Sequence, residues 1–274
     1  MSIVLTVAPT GPIATKSDNP NLATTPEEIA DAVVAAYEAG ASVAHIHLRD
    51  EDERPTADLS IGRRVIGLVS DRCPILIQLS TGAGLDVPFE QREKLVELKP
   101  AMATLNPCSM SFGGGEFLNP PNKVRRLAAR MRDLGILPEL EIYDTGHLEA
   151  CLRLRDEGLL PEKLQFSIVL GVQGGMAATA DNLIHMVNRL PDKSIWQVIA
   201  IGRANASLTA IGLALGGNAR AGLEDTLYLR RNELSPGSTP LVERAVRVAT
   251  ELGHEIADVA ETRRILLQSN AKAF

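Results

Sequence analysis

Eight short runs rich in Val, Ile and Leu alternate with longer amphipathic stretches along the whole of this 274-residue chain. The runs fall at 3–7, 42–48, 75–79, 101–105, 137–142, 165–170, 195–201 and 219–223. Helical spacing of apolar residues occupies 26–39, 61–70, 90–97, 123–134, 147–157, 180–188, 206–215 and 241–252. Strand–helix alternation with short connections makes βαβ units and a parallel sheet. Eight such units predict an α/β fold of one kind, a closed (β/α)8 TIM barrel in a single domain. The rival, an open doubly wound sheet, usually carries a GxGxxG turn after its first strand. Thr10-Gly11-Pro12 does not match that turn. Thr25-Pro26-Glu27-Glu28 combines a capping Thr, a Pro in the first turn and acids beside it, and Gly40 closes the same helix. No linker interrupts 1–274, so one domain is expected, with a C-terminal tail from about Glu261 that packs on a neighbouring subunit.

Composition narrows the partners. Aromatic residues make up only 3%, so Ala, Val, Ile and Leu must fill the core, which suits a layered barrel interior. The net charge is -6 and no basic stripe is present, which argues against nucleic acid. The densest cationic spots, Arg125-Arg126 and Arg230-Arg231, read as solvated surface or as contacts to a phosphorylated cofactor. Cys73, Cys108 and Cys151 are odd in number and far apart, as expected in a reducing, cytoplasmic setting. The start, MSIVLTVAP, reads as a strand and not a signal peptide, and no apolar run is long enough for a membrane span.

Catalytic groups of a barrel come from the C-terminal ends of its strands. The second run ends in Ala44-His45-Ile46-His47-Leu48-Arg49-Asp50. Residues two apart on a strand face the same side, so His45 and His47 project together as a metal-binding pair. The bland reading is two histidines satisfied by polar core neighbours. Arg49 and Asp50 are expected to pair with each other and orient the loop. After the eighth run, in Arg220-Ala221-Gly222-Leu223-Glu224-Asp225, Glu224 is the candidate third ligand, which makes an open His2Glu zinc set. Asp225 and Arg220 then read as a base with an orienting cation, and the bland reading makes Glu224 and Asp225 surface loop acids.

Other strand ends add weaker signals. Ser80-Thr81-Gly82-Ala83-Gly84 can bring backbone N–H groups to an anion or oxyanion. Asn106 is polar where a substrate sits. Glu139 and Glu141 share a face, and one reads a substrate group or a polar core layer. The loops at Gly171-Val172-Gln173-Gly174-Gly175 and Gly202-Arg203 suit a phosphate or carboxylate near a helix start, or are ordinary turns. Cys108, His147, His185 and His254 are read as structural or exposed.

The segments TVAPTGP, TPEEIADAVVAAYEAGASVAHIHLRD, QLSTGAG, ATLNPCSMSFG, PELEIYDTGHL, GVQGGM, AIGR and ARAGLEDTLYL resemble the β-keto acid cleavage enzymes over nearly the whole chain. The resemblance implies a zinc-dependent barrel, usually a homotetramer, that converts a β-keto acid and acetyl-CoA into acetoacetate and a new acyl-CoA. It implies zinc on His45, His47 and Glu224, Asp225 as base assisted by Arg220, and Ser80 aiding the thioester steps. Thr104 and Glu141 match positions in the substrate pocket. One segment departs. Members that act on 3-keto-5-aminohexanoate carry TGAE near the first strand, whereas here the segment reads Thr10-Gly11-Pro12-Ile13. With Ile13 in place of an acid, a different keto acid with a less polar tail is expected, while the remaining Glu141 leaves room for a polar or cationic group. The alternative function is a zinc-dependent aldolase-type lyase or hydrolase that needs no CoA, and a non-catalytic metal-binding barrel is the third reading.

Overall fold

A computed structural model, describing residues 1–268, shows a closed barrel of eight parallel strands. The barrel strands are β1 (Leu5–Val7), β2 (Val43–Ile46), β3 (Leu76–Leu79), β4 (Met102–Leu105), β5 (Leu137–Ile142), β6 (Gln165–Leu170), β7 (Ile195–Ala200) and β8 (Asn218–Ala221). Each pairs with its neighbours in sequence, and β8 pairs with β1, Arg220 opposite Thr6, to close the ring. The outer helices are α1 (Pro26–Glu38), α2 (Leu59–Ser70), α3 (Phe89–Arg92), α4 (Pro121–Asp133), α5 (Thr145–Asp156), α6 (Ala180–Val187), α7 (Asn205–Ala214) and α8 (Thr239–Glu251).

Local chemistry sets these elements. In α1 the Thr25 hydroxyl accepts from the Glu28 N–H and Glu28 reaches back to Thr25, a full capping box worth about 1 kcal/mol. Ile29, Ala30, Val33 and Ala36 then form the buried stripe against the sheet. The third helix is shorter than its periodicity predicts. It runs four residues, tightens into a 3-10 turn over Glu93–Leu98 and stops at Lys99, whose φ is 50°.

Three loops on the C-terminal side of the barrel carry small antiparallel pairs that the periodicity does not announce. They are Leu48–Arg49 with Pro55–Thr56, Met110–Phe112 with Gly115–Phe117, and Tyr228–Arg230 with Glu233–Leu234. The opposite end is sealed differently. Ser2–Ile3 pairs with Glu255–Ile256, then α9 (Val259–Arg263) runs on into a π-helical turn at Arg264–Gln268. Leu266 is fully buried there with Val43, Leu76, Met102, Leu137 and Ile195 from the strand starts. From Glu261 to Leu267 the tail therefore packs on its own barrel, and 269–274 lie outside the described residues.

Candidate active site

Alternate residues of the strands stack in layers inside the barrel. The floor is the apolar ring around Leu266. Two residues further along, the strands bury His45, Gln78, Thr104, Glu139, Ser167 and Gln197. Part of this layer is bonded internally: Ser167 Oγ donates to Glu139, and Gln197 Nε2 donates to Glu139 Oε1 at 2.8 Å and to Ser167 Oγ at 3.0 Å, while Glu139 Oε2 has no hydrogen-bond partner. The layer above holds His47, Ser80, Glu141, Val169 and Ile199, which line the cavity at the mouth together with Arg220 and Glu224.

His45 and His47 face the same side, their ring centroids 5.2 Å apart. His45 Nε2 lies 3.4 Å from Glu224 Oε2, and His47 Nε2 lies 3.5 Å from Glu224 Oε1. The amide oxygen of Gln78 accepts from His45 Nδ1 at 2.8 Å, which orients the ring and leaves Nε2 facing the carboxylate. His45 Nε2 and Glu224 Oε2 are both buried without a hydrogen-bond partner. Buried polar atoms are rarely left so, and here one ligand atom from each of three residues lies within 4.8 Å of the others. Two imidazoles and a carboxylate at this spacing fit a divalent metal such as zinc, with a coordination position to spare. A second cluster, His45, Glu139 and Glu141, is also compact, but Gln78 already occupies the His45 nitrogen on that side.

The electrostatics agree with a cation site. Burial pulls His45 down, yet the Glu224 carboxylate wins and pushes its pKa up to about 10. Burial holds His47 below its ordinary value. Against burial, Arg220 and the two histidines keep Glu224 well below the usual carboxylate range. Glu224 thus stays ionised and attracts whatever positive charge the site can take.

Arg220 is the hub of the other half. Its Nη2 donates to Glu224 Oε1 at 2.7 Å and to Asp225 Oδ1 at 2.6 Å, and its Nε donates to Asp225 Oδ2 at 3.0 Å. Its Nη1 is buried without a partner, 3.9 Å from Glu141 Oε1. Burial raises Asp225, although Arg220 opposes it. Burial and the neighbouring Glu139 raise Glu141 to about 7. Two glycines let the loops converge here. A Cβ on Gly222 would overlap the Ala8 carbonyl, and one on Gly11 would come within 2.5 Å of Glu224 Cγ.

The residues expected to act together divide into two groups. His47, Ser80, Gly82, Glu141, Arg220 and Glu224 line the cavity, with His45 and Asp225 buried directly behind it. Thr81 and Thr104 are buried and bonded to each other, the Thr81 N–H donating to Thr104 Oγ1 at 2.8 Å. Asn106 is buried with both amide atoms unpartnered, and a Cβ on Gly82 would lie 3.6 Å from its Nδ2. Ile13 is 61% exposed, and its neighbour Pro12 lines the cavity instead. The expected Arg49–Asp50 pair does not form. Arg49 donates to the carbonyls of Gly11, Ala14 and Glu53, while Asp50 accepts from the Asp52 and Arg54 N–H groups. Asp50 is turned into its own tight loop, and the guanidinium pins the Gly11 loop over Glu224. Gln78 and the apolar walls Leu85 and Ile201 escaped the sequence reading, whereas Glu139 takes the polar-core-layer place that was one of its two readings.

A family model described as beta-keto acid cleavage enzyme matches residues 2–267. The chain belongs to the β-keto acid cleavage enzyme family. This family member is 38% identical over 266 residues to the 3-keto-5-aminohexanoate cleavage enzyme of Fusobacterium nucleatum, covering 96% of this chain and 97% of that one. It is 32% identical over 267 residues to the 3-oxoadipate:acetyl-CoA acetyltransferase of Cupriavidus necator, covering 96% of this chain and 94% of that one. Among solved structures it resembles the ternary complex of ObcA with a C4-CoA adduct and oxalate, with a TM-score of 0.78 at 22% identity over 90% of this chain and 67% of that one. That likeness speaks for the fold.

Proposed function

We propose that the protein transfers an acetyl group from acetyl-CoA to a β-keto acid with an uncharged, apolar tail, releasing acetoacetate and the acyl-CoA of that tail. One observation carries the reading. Unpartnered buried atoms of His45, Glu224 and Arg220 converge on one cavity at the barrel mouth, where a metal ion and an anionic oxygen would satisfy them together. Held by His45, His47 and Glu224, zinc would supply Lewis acidity against the oxygen on which negative charge develops.

The chain's own groups supply the rest. Arg220 Nη1 donates to a substrate oxygen while its other two nitrogens hold Glu224 and Asp225. Asp225 takes the proton from the carbon between ketone and carboxylate. That carbon bonds to the acetyl carbonyl carbon, and CoA thiolate leaves. The thiolate returns to the original ketone carbon, the bond between the two carbons breaks, and acetoacetate departs as its carbon regains the proton. The Ser80 hydroxyl lines the same cavity and would serve the thioester steps.

The walls choose the substrate. Leu85, Phe112, Phe117, Val169, Val172, Ile199 and Ile201 form an apolar wall of the cavity, and no lysine is among its described lining residues. Arg220 is engaged by Glu224 and Asp225 and its remaining Nη1 by the reacting end of the substrate, so no cation is left for a carboxylate tail among the described lining residues. Glu141 already faces Arg220 Nη1 at 3.9 Å, which makes it a poor anchor for an ammonium tail. The relatives' names carry an amino group in one case and a second carboxylate in the other, and neither tail suits these walls. The test is a panel of β-keto acids with and without acetyl-CoA, read by acetoacetate formation. Neutral aliphatic tails should outpace amino and carboxylate tails by at least about tenfold in kcat/KM, since a stranded charge costs 1.4 kcal/mol or more. Equal consumption of keto acid without acetyl-CoA would point to the lyase or hydrolase reading instead.

A further inference from the structure

Beside the candidate active site lies a second, larger groove of about 640 Å³, between the loop after β7 and the Tyr228–Arg230/Glu233–Leu234 hairpin. Its lining includes Arg203, Arg230, Arg231 and Arg244 and no acidic residue, on a chain whose net charge is -6. Among the described residues, no carboxylate lies within ion-pair distance of Arg203, Arg231 or Arg244, and Arg230 meets Glu233 only at 3.8 Å. Arg244 is the telling one. It is half-buried and held by the Leu229 carbonyl and Asn205 Oδ1, with a second cation, Arg247, nearby. Arg203, Arg230 and Arg231 are exposed beside it, so the groove gathers four guanidinium groups with a single carboxylate near them, a field that favours an anion. Tyr228, 50% exposed, offers an aromatic face on the same wall.

We propose that this groove binds the nucleotide end of acetyl-CoA, its phosphates on the arginines and its adenine against Tyr228. The inference rests on acetyl-CoA being the co-substrate, as proposed above. The two cavities share a rim. Ile201 lines the active-site cavity and Gly202 the groove; Glu224 lines the first and Thr226 the second. The Gly202 N–H donates to the Asp225 carbonyl at 2.7 Å, so the rim is one tied structure. A pantetheine arm crossing it delivers the thioester to the metal-ligand side, and the loops after strands seven and eight are where barrels often bind phosphate. The other surface cavity with arginines, beside Cys108, fits less well, because Glu157 already holds Arg125 through two bonds of 2.7 Å.

The test uses full-length protein loaded with zinc. Calorimetric titrations employ CoA, adenosine 3′,5′-bisphosphate and inorganic phosphate, and kinetics compare acetyl-CoA with S-acetylpantetheine, which lacks the nucleotide. Arg203→Glu/Arg231→Glu should weaken CoA and the bisphosphate at least tenfold and raise KM for acetyl-CoA in step. KM for S-acetylpantetheine should move less than twofold, and Arg231→Lys should retain most of the affinity. Should the double variant bind CoA as the wild type does, the groove assignment falls while acetyl transfer stands. Bisphosphate binding no tighter than phosphate would also overturn the assignment. Wild-type protein that binds no CoA and ignores acetyl-CoA would overturn both readings.

Discussion

His45 and His47 show why some of this site is legible residue by residue. Two imidazoles two positions apart on a strand must face the same side, and nothing else in the fold need be known to pair them. Glu224 is some 180 positions away in the chain, and only the order of eight strands brings its loop back beside β2. Gln78 was harder to read because a single polar residue inside an apolar run looks like noise until the barrel closes around it. His45→Ala should abolish stoichiometric zinc, measured by elemental analysis of dialysed protein; full retention of zinc would remove His45 from the ligand set. Asp225→Asn is the sharper probe of chemistry, since an amide keeps the shape and one acceptor for Arg220 but cannot take a proton. It should keep zinc and lose at least about 100-fold in kcat. Near-wild-type turnover would clear Asp225 of the role of base.

At the scale of elements, the sequence periodicity located all eight barrel strands, and what it missed lies in short or irregular segments between them. The strand–loop hairpins have arms of only two or three residues, too short for any period to register. The short α3 turns 3-10 because its last turn packs Leu95 and Val96 inward before the chain reverses at Lys99. The loop after β8 is where element geometry meets chemistry. It carries Glu224 and Asp225, and it approaches β1 so closely that only glycine fits at position 222. Gly222→Ala should therefore push the loop outward, weaken zinc affinity by at least about tenfold and lower the melting temperature by several degrees. Unchanged zinc affinity by competition with a chelator would show that this approach does not set the ligand geometry.

For the whole molecule, the barrel is asymmetric from end to end. One end is stoppered by the turn that carries Leu266, the other left open, with charged groups on one side of its cavity and apolar walls on the other. Leu266→Ala should cost about 2–5 kcal/mol of stability, read by denaturant titration, with kcat/KM nearly unaffected. A loss of activity larger than the loss of folded protein would show that the floor also positions the layers above it. The stopper has a further bearing on the order of events. A vessel with one opening behaves as a stack, in which the last guest to arrive is the first that can go. On the binding mode proposed above, a small acid seated at the bottom precedes a long thioester lying across the rim, and on the way out the thioester leaves before the small acid beneath it.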